Sequence, residues 1–189
     1  MKSIILDTET TGLIKPGAPL EQQPQIIELG AIRIDDDGKV ADELSQLINP
    51  GIALPEIITK ITGVTDEQLV GMPTFEDYLP RLIDFFQWLP IYTQRQKTDV
   101  LICHNAAFDV GMLRNELMRA KCLDFPWPNI TVCTVQEYKT FMGGKWPKMT
   151  ELYKKVMGKE LDQKHRALDD VIALNEILTK DKFFEKVNG

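Results

Sequence analysis

Asp7 and Glu9 stand at the end of the apolar run Ile4-Ile5-Leu6. Asp109 closely follows His104-Asn105, and His165 stands five residues before Asp170. Four carboxylates and a histidine drawn from three separated segments are the parts required for two-metal phosphoryl transfer. If the three segments converge in space, the chemistry is that of a nuclease. The elements that carry them must therefore be read next.

Residues two apart on a strand point to the same face, so Asp7 and Glu9 project side by side. Two ionised carboxylates held together repel, and one is driven to protonate unless a cation neutralises them. Magnesium or manganese suits the pair, since hard divalent ions prefer oxygen ligands. The same Asp-x-Glu also fits a solvated strand end. Gly12, after Thr10 and Thr11, would let backbone approach a ligand closely. Haloacid-dehalogenase-like phosphatases also set an Asp after an apolar strand, but in an Asp-x-Asp pattern, and Glu9 occupies the second position here.

Asp109 shares a helix face with Leu113 and Leu117. An acid on an apolar face is costly unless something binds it, although first-turn backbone donors and the helix dipole could satisfy it. Asn105 is the simplest cap for this helix, and His104 reads as structural. Five helical residues rotate by about 140°, so His165 and Asp170 cannot share a face if both are helical. His165 is therefore expected in the preceding loop, with Asp170 inside the helix on the face of Val171, Leu174, Ile177 and Leu178. Asp169 points to the solvated side. A loop histidine near buried acids suits a general base.

The supporting elements follow from pattern. Strands are expected at Ile4–Leu6, Gln25–Ile34, Val40–Ile48, Asp99–Cys103 and Asn129–Cys133. Short helices are expected over Pro55–Ile61 and Asp66–Val70, opened by proline or an acidic cap. Longer ones are expected over Thr74–Leu89, where Pro80 could introduce a kink, and from the Asn105 cap to Lys121. Thr134–Phe141, Thr150–Met157 and Arg166–Thr179 complete the set. This order describes an α/β fold, a mixed sheet flanked by helices.

At 189 residues with 43% hydrophobic and 26% charged content, the chain fits a single globular domain over 1–189. A net charge of −6 argues against coating nucleic acid along its length, while leaving room to grip a chain end. Three cysteines without C-x-x-C spacing fit a reduced, cytoplasmic setting. The N-terminal apolar stretch is too short for a signal peptide, and no segment approaches the ~20 apolar residues of a membrane span. Against the net charge, residues 139–166 hold eight basic and three acidic residues, a net of +5, with Trp146 among them as a stacking surface.

The ordered motifs resemble the DEDDh (DnaQ-like) exonucleases, the group containing the proofreading epsilon subunit of bacterial replicative polymerase. Asp7-Thr8-Glu9-Thr10-Thr11-Gly12 matches the first family motif, His104-Asn105 through Phe108-Asp109 the second, and His165, Ala167 and Asp170 the third. Ile61-Thr62-Gly63-Val64-Thr65 is a further family-like phrase. The resemblance implies an RNase H-like fold and removal of nucleotides from a 3′ end with two magnesium or manganese ions. Asp7 would bridge the ions, Glu9 and Asp170 would complete the tighter site, and Asp109 would bind more loosely or through water. His165 would take a proton from the attacking water. Thr10, Thr11, Gly12, Leu13, Asn105 and Phe108 match positions that cradle the terminal nucleotide. The expected partner is a single-stranded 3′ end, DNA ahead of RNA, with a DNA polymerase as a further partner and no membrane. The chain ends soon after its last helix, which points to a stand-alone exonuclease or to a subunit of an assembly that the sequence does not identify. Trimming of RNA, or a non-catalytic polymerase-accessory role, are the competing readings.

Overall fold

The computed structural model describes residues 2–88, 96–97 and 99–184. Strand β1 spans Ser3–Thr10, β2 Ile26–Ile34 and β3 Val40–Leu47. Helices α1 (Glu56–Thr62), α2 (Asp66–Leu69) and α3 (Phe75–Phe86) follow. A two-stranded pair, β4 (Gln87–Trp88) with β5 (Gln96–Lys97), precedes β6 (Val100–Cys103). Helix α4 spans Ala106–Arg119, β7 Ile130–Cys133, α5 Thr134–Tyr138, α6 Met149–Met157 and α7 Ala167–Lys180.

The main sheet runs β3-β2-β1-β6-β7, with β1–β2 and β2–β3 antiparallel and β1–β6 and β6–β7 parallel. This is the mixed sheet expected from the pattern. Strand alternation divides the core into two layers. Ile4, Leu6, Leu29 and Ala31 pack with Leu82, Phe85 and Phe86 of α3 and with Met112 and Leu113 of α4. Ile5, Ile32 and Ile34 pack with Leu152 of α6 and with Val171, Leu174 and Ile177 of α7. Asp7 and Glu9 continue the parity of Ile5, so they lie on the α7 side.

Several expected details differ. β1 does not stop at Leu6 but runs through the motif to Thr10, because Asp7, Thr8 and Glu9 pair with Gly30, Leu29 and Glu28 of β2. Helix α2 is capped by Thr65, whose hydroxyl accepts from the Gln68 amide, not by Asp66. Helix α3 ends at Phe86 with Pro80 inside it, and the expected end at Leu89 lies outside the described residues. Asn105 occupies the N-cap position of α4, but its side chain makes no capping bond; its carbonyl accepts from the Phe108 amide instead.

Gly30 sets the height of α7 above the sheet. A Cβ there would stand 2.2 Å from the Ala167 carbonyl carbon and 2.3 Å from the Leu168 nitrogen. The first turn of α7 thus rests directly on β2 beside Asp7, and only glycine leaves room for it.

Candidate active site

Parallel strands β1 and β6 end at one edge of the sheet, where α4 and α7 also begin. Asp7 and Glu9 come from β1 and Asp170 from the first turn of α7. One carboxylate oxygen from each of the three lies within 4.8 Å of the others. Asp170 is buried with Val171, Leu174, Ile177 and Leu178, and Asp169 is exposed. The helical phase read from the sequence is therefore the observed one. Asp109, buried in the first turn of α4, stands outside this triad; its Oδ1 accepts a 2.9 Å hydrogen bond from the Thr8 hydroxyl.

The electrostatics show an acid cluster under strain. Burial raises the Asp7 carboxyl well above its ordinary value, and Asp109, Asp170 and Glu9 raise it further. Glu9 is pushed up to about 8 by burial and by Asp170, Glu28 and Asp109, with Arg166 opposing. Asp109 is pushed up to about 7, chiefly by burial, against the Thr8 hydrogen bond. Burial also raises Asp170, opposed by Gln163 and His165. Such a set favours either bound protons or a bound cation. Three convergent carboxylates with no soft ligand among them fit a hard divalent ion.

His165 lies in the loop before α7, exposed, with a left-handed backbone at φ 50°. Gln163, from the same loop, donates to both Asp170 oxygens at 3.1 and 3.2 Å. His104 is structural: its ring bridges the Thr134 hydroxyl at 3.0 Å and the Pro147 carbonyl at 3.1 Å.

The substrate-binding candidates gather around the same edge. Thr10 is buried and donates to the Gly12 carbonyl at 2.7 Å, while the Thr11 hydroxyl accepts the Gln25 amide. A Cβ at Gly12 would meet nothing within 4 Å, so that side is open. Leu13 is 78% exposed. Across from this loop, Asn105 and Phe108 are half-buried at the start of α4.

Sequence reasoning missed Glu28 and Gly30, and it took Arg166 only as one basic residue among several. Glu28 is 1% exposed and lies directly opposite Glu9 in the β1–β2 register. Arg166 binds it in a fork, with Nε at 2.9 and 3.1 Å and the second nitrogen at 2.7 Å. A lone acid inside the apolar strand Ile26–Ile34, two residues before a glycine, was the available signal.

The exonuclease family model matches residues 4–178. DNA polymerase III PolC-type of Clostridium perfringens is 32% identical over 176 residues, which are 93% of this chain but only 11% of that polymerase. The chain thus spans about a ninth of that relative. DNA polymerase III subunit epsilon of Aquifex aeolicus is 28% identical over 94% of this chain and 78% of its own length. The nuclease domain of 3′hExo, a DEDDh family member solved with rAMP, has the same fold: TM-score 0.74 at 22% identity, covering 95% of this chain and 92% of that one. No helix among the described residues is long and apolar enough to cross a membrane. A match running from β1 to α7 settles the kinship: this chain belongs to the exonuclease family that the model describes, on a fold shared with a DEDDh nuclease.

Proposed function

We propose that this protein is a 3′–5′ exonuclease that hydrolyses the terminal phosphodiester of single-stranded DNA and releases nucleoside 5′-monophosphates. The observation that carries this reading is the convergence of Asp7, Glu9 and Asp170 within 4.8 Å beneath the His165 loop. Asp7, Glu9 and Asp170 would hold one magnesium or manganese ion, and Asp7 with Asp109 a second. Bound ions would supply charge stabilisation at the attacking and leaving oxygens of an in-line displacement. His165 takes the proton of the attacking water. Its exposure at the rim leaves it free to pass that proton to solvent. Thr10, Thr11, Gly12 and Leu13 on one side, and Asn105 and Phe108 on the other, hold the terminal nucleotide.

DNA is favoured over RNA because relatives from Clostridium perfringens and Aquifex aeolicus are named as DNA polymerase III proteins. Digestion of matched 5′-labelled DNA and RNA 12-mers with magnesium tests both parts. The expected result is a ladder shortening from the 3′ end, faster on DNA. Internal cutting would overturn the exonuclease polarity, and faster RNA digestion would overturn the substrate.

A further inference from the structure

The loop between α5 and α6 and the loop between α6 and α7 are both tied to the site. The Pro147 carbonyl oxygen meets Nε2 of His104, one residue before Asn105, at 3.1 Å. At the far end, Gln163 holds Asp170. Residues 147–163 are thus anchored at both ends to the rim of the acid cluster.

The lysines of this region fall into two groups. Lys154 pairs with Glu160, Lys155 lies over the Phe141 ring at 4.3 Å, and Lys159 lies 5.7 Å from the Tyr153 ring centroid. These three serve local packing. Lys139, Lys145, Lys148 and Lys164 are exposed, and none forms a side-chain ion pair with a carboxylate within 4.0 Å among the described residues; Lys148 meets Glu151 only through its backbone amide. Trp146 stands between Lys145 and Lys148 and is 54% exposed, although its neighbours Pro147 and Met149 are buried. An indole held out in water on an anchored loop and flanked by unpaired cations has the composition of a single-strand platform.

We propose that Trp146, with Lys139, Lys145, Lys148 and Lys164, forms a second binding surface for single-stranded nucleic acid 5′ of the terminal nucleotide. Trp146 stacks on a base and the lysines face phosphates. The occupant is a nucleic-acid strand because the surface adjoins the site through His104 and Gln163. It is also a positive patch on a chain of net charge −6. The proposal rests on the exonuclease reading, and it adds that affinity grows with strand length beyond the terminal dinucleotide.

The test measures binding of fluorescein-labelled (dT)12 and of the dinucleotide dTdT in chelator, across a salt series. Wild type should bind (dT)12 far more tightly than dTdT. Trp146→Ala should weaken (dT)12 binding by about 5- to 150-fold, the span of one lost base stack. Lys139→Gln/Lys145→Gln/Lys148→Gln should flatten the salt slope by about 2, at roughly 0.7 per lost phosphate contact. The control Lys154→Gln/Lys155→Gln/Lys159→Gln removes the same charge from the locally engaged lysines and should stay within about twofold of wild type. Equal losses in the two triple variants would reduce the effect to net charge and overturn the proposal, as would unchanged binding by Trp146→Ala. Hydrolysis of thymidine 5′-(4-nitrophenyl) phosphate by wild type with magnesium reports the acid cluster separately. Hydrolysis of this ester with no preference for (dT)12 over dTdT overturns the second surface alone. No hydrolysis of either ester or oligonucleotide overturns the exonuclease reading.

Discussion

Arg166 grips Glu28 through two nitrogens, and the same carboxylate accepts the Ala167 amide at 3.4 Å. β2 is thereby locked to the first turn of α7, one residue from His165 and four from Asp170. Helix α7 has no side-chain cap at Arg166 itself, so Glu28 fills that role from another strand. The fork also sets a cation against a fifth carboxylate, whose charge otherwise adds to the repulsion at Asp7 and Glu9.

Breaking this lock should be costly and coupled. Arg166→Ala leaves the buried Glu28 without its counter-ion, a loss of about 1–3 kcal/mol, since Arg166 is itself partly exposed and the Ala167 amide remains. The double variant Glu28→Gln/Arg166→Ala should be less destabilised than the sum of the single changes by about 1 kcal/mol or more. Urea unfolding of the four proteins measures this. Additivity within about 0.5 kcal/mol would make the pair incidental.

Gly30→Ala should damage activity beyond its effect on stability. The added Cβ drives α7 off the sheet at a cost of about 1–3 kcal/mol. A shift of Asp170 and His165 by even 1 Å can cost about 10² in rate. The informative comparison is kcat at saturating magnesium, measured well below the variant's unfolding temperature. Wild-type turnover there would show that α7 can move without disturbing the site.

The metal-free protein should lose stability as pH rises from about 6.5 to 8.5. Glu9 at about 8 and Asp109 at about 7 hold protons in the folded state that the unfolded chain has already released near pH 4. Their stabilising contribution is complete at low pH and disappears as pH passes the folded values. Burial lowers His104, which acts in the opposite direction, but only below about pH 6.5. Urea midpoints in chelator should therefore fall across this window, and saturating magnesium should flatten the slope. A midpoint that rises with pH in chelator would contradict the acid-cluster electrostatics.

His165→Ala should lower turnover by about 10²–10⁴ while leaving magnesium affinity nearly unchanged. A rate profile against magnesium concentration separates the two effects. Weakened magnesium binding with normal turnover at saturation would instead make His165 a support for the metal site.

Much of this site was legible because its residues sit where local pattern is strong. The i, i+2 relation of Asp7 and Glu9 follows from strand parity, and the burial of Asp170 follows from the 3.6-residue phase of Val171, Leu174 and Ile177. The loop position of His165 followed from the same phase. Glu28 and Gly30 were not legible for a different reason. Their roles depend on which strand α7 crosses and how closely, and that is set by packing between segments over 130 residues apart. The Asn105 cap failed because a helix start can be satisfied by the backbone alone. The extension of β1 to Thr10 came from pairing with β2, which outweighs the weak strand preference of Asp and Glu.

The central claim is that Asp7 is the hub of a metal-dependent hydrolytic centre, and Asp7→Ala tests it most directly. The assay is shortening of a 5′-labelled DNA 12-mer from its 3′ end with magnesium, alongside thermal unfolding in chelator. Loss of several kcal/mol of charge stabilisation should lower the rate by at least about 10³. Relief of repulsion among the remaining acids should leave the unfolding temperature unchanged or raise it by about 2–4 °C. An Asp7→Ala protein that is folded and still digests the strand within about tenfold of wild type would contradict the claim.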